Sequence, residues 1–227
     1  MEDATSAPND PPALATLSPT EARLLGCLIE KAAITPEVYP LTLNALVAAS
    51  NQKTSREPIM NLEPGAVGHA LRELEGRGLV KVAPSSQRAL RYEHRFDAVY
   101  GVTVRQRAVL CVMLLRGPQT IGELHQRCER LAEFPDIDDV RDTLERLIQR
   151  EPACVIRLGR GSGQREDRYM HLLGGAIDAE KALASLASAP ASSSRSDLQE
   201  RVERLEMDVQ ALREEIAALR RSSGASE

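Results

Sequence analysis

Between Leu17 and Gly175 the apolar residues recur every three or four positions in six segments, and each set of three such segments is followed by two short extended runs. The first segment, LSPTEARLLGCLIEK, opens with Ser18, Pro19 and Glu21. That is a capping box with proline at the first helical position, and it predicts a helix to about Lys31. PLTLNALVAAS predicts a second helix with Leu41, Leu43, Leu46 and Val47 turned inward. A polar connection from Asn51 to Asn61 leads to a third, opened by Glu63 and Pro64, with Leu62 and Val67 as a hydrophobic staple. In it Val67, Ala70, Leu71 and Leu74 fall at i, i+3, i+4 and i+7 and form one buried stripe, leaving Gly68, His69, Arg72 and Glu75 toward solvent. GRG ends that helix, and LVKVAP, SSQ and RALRYEHRF read as strand, tip and strand.

The same order returns. VRQRAVLCVMLLRG, TIGELHQRCERLA and DIDDVRDTLERLIQR predict three more helices, and ACVIRLGRGSGQREDRYMHLL a second hairpin with a Gly-rich tip. RYEH at Arg91 to His94 and RYMH at Arg168 to His171 close the two hairpins alike. A repeat of this length indicates duplicated domains, not a solenoid of short units. The expectation is a mainly α chain with small β-hairpins: tandem winged helix-turn-helix domains over residues 17–100 and 101–175.

Beyond Gly175 the chain turns to Ala and Ser, a flexible linker over 176–195, and then to SDLQERVERLEMDVQALREEIAALRR. Leu198, Val202, Leu205, Val209, Leu212, Ile216 and Leu219 alternate at spacings of four and three, the seam of a coiled-coil helix over 196–221. Val202, Val209 and Ile216 at a with leucine at d favour a parallel two-stranded coil. The flanking pairs Arg201–Glu206, Asp208–Arg213 and Glu215–Arg220 are all attractive in that arrangement. A homodimer is therefore expected; the alternative is that this helix folds back on its own domains. Residues 1–16 and 222–227 read as disordered tails.

Composition narrows the function. The chain is 227 residues long, 42% hydrophobic, 27% charged and 3% aromatic with no Trp, which disfavours a base-stacking platform. Its net charge of −4 excludes a protein that coats nucleic acid or anionic membrane through its overall field. The charge is uneven: residues 1–16 and 176–227 carry −3 each, and 17–100 and 101–175 carry +1 each, so binding has to come from local patches. Cys27, Cys111, Cys128 and Cys154 lack CxxC spacing and read as buried reduced thiols. The acidic, Pro-rich N-terminus lacks the form of a signal peptide, and the longest apolar run, Ala108 to Leu115, is too short to span a bilayer; a cytoplasmic protein is expected.

No catalytic arrangement stands out. His69, His94, His125 and His171 have no metal-ligand spacing, and GRGSGQ lies between strands instead of opening a helix, so no cofactor, metal or enzymatic activity is expected. The nucleic-acid candidates are Lys53 and Arg56 in the turn before the third helix, Arg72 within it, Arg88, Arg91 and Arg95 in the first hairpin, and Arg160 and Arg165 in the second, beside Arg157 and Arg168. For each, pairing with a neighbouring carboxylate is the competing reading. The sixth helix opens with Asp136, Asp138, Asp139 and Asp142, which suit a helix N-terminus but repel phosphate.

NQKTSREPIMNLE, the doubled helix-and-hairpin order and the late coiled coil together resemble the YceH-like family of uncharacterised bacterial proteins, over about Leu17 to Gly174. The resemblance implies a tandem winged-helix fold and supplies no activity, ligand or site residue. This chain departs from it in carrying Glu63 where a Ser-type cap is expected. Two readings follow: a non-enzymatic dimeric DNA-binding protein of transcription-regulator type, or a winged-helix protein-protein scaffold, like the chromosome-segregation partners, that does not touch DNA.

Overall fold

Helix starts carry much of the architecture. In the computed structural model, which describes residues 16–84, 89–159 and 166–175, Ser18, Thr42, Thr103, Thr120 and Asp136 each cap a helix by accepting a hydrogen bond from the third residue beyond. Each such cap is worth about 1 kcal/mol. The helices are α1 (Pro19–Ile34), α2 (Leu43–Ser50), α3 (Pro64–Gly76), α4 (Phe96–Tyr100), α5 (Val104–Arg116), α6 (Ile121–Cys128) and α7 (Ile137–Ile148). The strands are β1 (Leu41–Thr42), β2 (Val80–Val82), β3 (Arg91–His94), β4 (Val155–Leu158) and β5 (Arg168–His171). The described chain is thus mainly helical with small antiparallel sheets, in the order β1-β3-β2 and β4-β5.

The two halves repeat down to single hydrogen bonds. In the first, Arg91 Nη1 donates to Pro40 O at 2.8 Å, Leu41 pairs with Tyr92, and Thr42 caps α2. In the second, Arg168 Nη1 donates to Pro118 O at 3.0 Å, Gln119 bridges Tyr169, and Thr120 caps α6. The histidine ending each RYxH stretch then pairs with the opposite hairpin strand, His94 with Val80 and His171 with Val155. RYxH is therefore a structural device: it ties the hairpin to the entry of the second helix in its half.

Two features depart from the sequence expectation. Leu41 belongs to β1, because Thr42 with its extended backbone caps the helix one residue later. The short helix α4 joins the halves, its ring pair Phe96 and Tyr100 packed 4.6 Å apart in the core.

One continuous apolar cluster runs through both halves. α1 is buried at every position from Glu21 to Ile29, and α5 from Ala108 to Leu115. These two helices pack against each other more extensively than any other helix pair. Gly26 lets them approach: a Cβ there would lie 2.7 Å from Leu115 Cδ2 and 2.8 Å from its Cγ. Leu17 N also donates to Leu173 O at 2.7 Å, so the two ends of the described region meet. The linker, the coiled-coil seam from Leu198 to Leu219 and the two tails lie outside the described residues.

Candidate functional site

The polar connection between α2 and α3 is built around two buried arginines. Arg23 of α1, only 1% exposed, donates from Nη1 to Ser50 O at 3.0 Å and from Nη2 to Pro58 O at 2.6 Å. Arg56 donates from Nε to Ala49 O at 3.0 Å and from Nη1 to Ser55 O at 2.8 Å, and its two Nη groups grip Glu30 of α1 at 3.0 and 2.6 Å. Asn51 closes the loop: its Nδ2 donates to Leu62 O at 2.9 Å while Leu62 N donates to its Oδ1 at 2.7 Å. Glu57 N then donates to Leu115 O at 2.8 Å, fastening the loop to the end of α5.

The electrostatics agree with this geometry. Burial pushes the Glu30 carboxyl up, but the hydrogen bonds and charge of Arg56, joined by Lys31, outweigh it and hold the group below its ordinary value. Burial likewise works against the Arg56 charge, and the hydrogen bonds to Glu30 more than restore it. Arg23 has no carboxylate on it, so burial, with the like charge of Arg56 adding to it, pulls its guanidinium down.

Arg56 was expected to face a phosphate. That expectation is corrected: its side chain is 0% exposed and its donors are engaged inside the fold. Arg91 is half-buried and joined to Pro40 O, the structural role that Arg168 repeats. Lys53, Arg72 and Arg95 are exposed. Arg88, Arg160 and Arg165 lie outside the described residues. In the second hairpin Arg157 pairs with Asp167, and Arg168 with Glu123 at 2.8 Å. Burial pulls the His94 and His171 imidazoles down to about 4, so neither is a cation at neutral pH.

On α3 the stripe of Val67, Ala70, Leu71 and Leu74 is buried, and His69, Arg72, Glu73 and Glu75 face solvent. Glu63 stands at its N-cap without a side-chain capping bond. On α7 the outward positions are Ile137, Asp138, Arg141, Asp142, Glu145 and Arg146, with Arg141 paired to Asp138. Among the described residues no group of three or more His, Cys, Asp or Glu is placed to hold a metal, and no helix is long and apolar enough to cross a membrane.

Sequence reasoning missed Arg23 and Glu30 as the anchors of the loop. The signal was present: Arg23, Cys27 and Glu30 fall at i, i+4 and i+7, placing two charges in line with a buried position of a helix that is otherwise apolar there.

A family model described as "Protein of unknown function, DUF480" matches residues 17–164. The chain belongs to the DUF480 family. That agrees with the YceH-like resemblance carried by the Asn51 to Leu62 stretch. The DUF480 chain is 54% identical over 213 residues to a UPF0502 protein of Xanthomonas axonopodis pv. citri, an alignment covering 92% of this chain and 93% of that one. It is 51% identical over 222 residues to a UPF0502 protein of Stenotrophomonas maltophilia strain R551-3, covering 97% and 100%. A UPF0502 protein of Xanthomonas euvesicatoria pv. vesicatoria is 60% identical over 170 residues, 75% of this chain and 74% of its own. These names carry no activity to this DUF480 member.

Proposed function

We propose that this chain is a non-enzymatic tandem winged-helix protein, with domains over 17–100 and 101–175, that binds duplex DNA as a cytoplasmic homodimer of transcription-regulator type. The observation that carries the reading is the presentation of α3. Arg23, Arg56 and Asn51 brace the loop before it, its apolar stripe is buried, and Arg72 on the helix and Lys53 in the loop remain exposed. In this reading Arg72 reaches a base edge, and Lys53, Arg95 and the hairpin cations Arg88, Arg160 and Arg165 approach phosphates, while Arg91 holds the hairpin to Pro40. Arg56 acts only through the loop it holds.

Fluorescence anisotropy with duplex DNA over a salt series tests it. The expected dissociation constant at low salt is tighter than about 0.1 mM, the weak end of non-specific binding. Replacing Lys53, Arg72 and Arg95 together by Ala lowers the slope of log K against log salt by roughly 0.9 for each phosphate that no longer meets a cation. Binding weaker than about 0.1 mM at low salt overturns the proposal.

A second reading has an observation of its own. The N-terminal end of α7 is acidic, with Asp136, Asp138, Asp139 and Asp142, and carries Ile137, which is 43% exposed, a surface suited to a basic protein segment and hostile to phosphate. A partner that stays bound after nuclease treatment and is released by Asp138→Lys with Asp142→Lys supports this scaffold role over DNA binding.

A further inference from the structure

The end of α1, the Asn51–Leu62 loop, the end of α5 and the end of α6 converge on a cleft to which α3 contributes no residue. Its volume of about 560 Å³ is the size of a small-ligand site. Its cations are Lys31, Arg116, Arg127 and Arg130; its carboxylates are Glu30 and Glu129.

The charges do not cancel. Glu30 already accepts from both Nη groups of Arg56 and lies 3.3 Å from Lys31 Nζ, so two cations share its one charge. Arg127 reaches Glu123 at 3.8 Å, but that carboxylate also holds Arg168 at 2.8 Å. Arg116 is half-buried, and the one hydrogen bond of its side chain among the described residues is donated to the neutral Ser55 Oγ at 2.5 Å. Arg130 is exposed at the rim and makes no side-chain hydrogen bond or ion pair among the described residues.

Arg116 is the most telling of these. Burial pulls its guanidinium down and the like charges of Arg127 and Arg56 add to the effect, with Glu30 and Glu57 acting the other way; Arg116 and Arg127 line the same cleft. A half-buried arginine whose one side-chain hydrogen bond goes to a neutral hydroxyl gains from an anion that accepts from it. Ser55, which lines the cleft, is the one non-glycine residue with positive φ among the described residues, at 61°. That backbone costs roughly 1 kcal/mol. It sends the Ser55 carbonyl inward to Arg56 and leaves its hydroxyl at Arg116, where it can also donate to a bound oxyanion.

We propose that this cleft is a binding site for a small, multiply charged anion of the phosphate class, held by Arg116, Arg127 and Arg130 with the Ser55 hydroxyl. The site joins the loop that supports α3 to the end of α5 and to α6, so an anion there stiffens that connection. It stands independently of DNA binding.

Calorimetric titration of the full chain with sodium pyrophosphate and with inorganic phosphate, at ionic strength held constant with chloride, tests the site. Pyrophosphate is expected to bind once per chain and more tightly than phosphate. Arg116→Ala and Arg130→Ala are each expected to weaken it about tenfold, the loss of one charge-assisted hydrogen bond. Arg130→Ala removes no internal bond, so its loss of binding does not reflect unfolding. Lys53→Ala and Arg72→Ala are expected to leave pyrophosphate binding unchanged. Heats indistinguishable from dilution for both anions overturn the proposal, as does an affinity that Arg130→Ala leaves intact. A duplex DNA titration under the same conditions separates the sources of phosphate: if Arg130→Ala weakens DNA but not pyrophosphate, the cleft belongs to the nucleic-acid backbone and the small-anion site is overturned.

Discussion

Arg56 and Glu30 show how far a side chain's chemistry outruns its position in the sequence. In SNQKTSREP an arginine amid polar residues reads as a surface cation, yet it is enclosed because Glu30 waits for it on α1 and two backbone carbonyls, Ala49 and Ser55, accept from it. Removing one member of such a pair leaves a buried charge unmatched. Glu30→Gln is therefore expected to lower stability by about 3 kcal/mol at neutral pH, read from the urea midpoint at unchanged m-value. Glu30 has a depressed folded-state pKa, so its contribution is complete above the ordinary value of 4.5 and is lost as pH falls below it through the folded-state value. The gap between the wild type and Glu30→Gln should consequently be widest near neutrality and narrow as pH falls below 4.5 through the folded-state value. A gap that is constant with pH would show that the carboxylate charge is not the cause. The helix caps, by contrast, were open to inspection: Ser18 with Glu21 is a local pairing that needs no tertiary partner.

Among the helices, periodicity located α3 and α7 well because one face of each stays in water. It was least informative for α1 and α5, which are buried on nearly every side where the halves meet. Glycines on two helices separate these environments. Gly26 is where α1 meets Leu115 of α5, and Gly26→Val is expected to destabilise by roughly 2–3 kcal/mol through overpacking. A Cβ at Gly65, in the first turn of α3, would have nothing within 4 Å of it, and Gly65→Ala is expected to stabilise by about 0.5–1 kcal/mol. Chemical denaturation of both variants checks the pair; equal signs would mean that the α1–α5 packing is looser than the geometry requires. The strand β1 and helix α4 escaped sequence reading for a plain reason: two and five residues are too few to show a period.

For the assembled protein, the homodimer proposed from the heptad and charge pattern of residues 196–221 is open to direct measurement. Light scattering of the full chain is expected to give twice the monomer mass, and deletion of residues 196–221 to shift the population toward monomer. Monomer mass in both would remove the parallel coil from the proposal. The twofold repeat was legible beforehand because RYEH and RYMH punctuate it at matching places. What those residues do was not: each arginine seeks a proline carbonyl far upstream, Pro40 at 51 positions for Arg91 and Pro118 at 50 for Arg168.

Local rules, which act over three or four residues, were enough to determine the order of the six longer helices and two hairpins, the capping box at Ser18 and the stripe that α3 buries. Which cations face water was decided only by tertiary packing, because a guanidinium is buried or exposed according to whether carbonyls and carboxylates from distant segments converge on it. That convergence withdrew Arg56 and Arg91 into the scaffold, left Lys53, Arg72 and Arg95 outside, and gathered Arg116, Arg127 and Arg130 around one cleft.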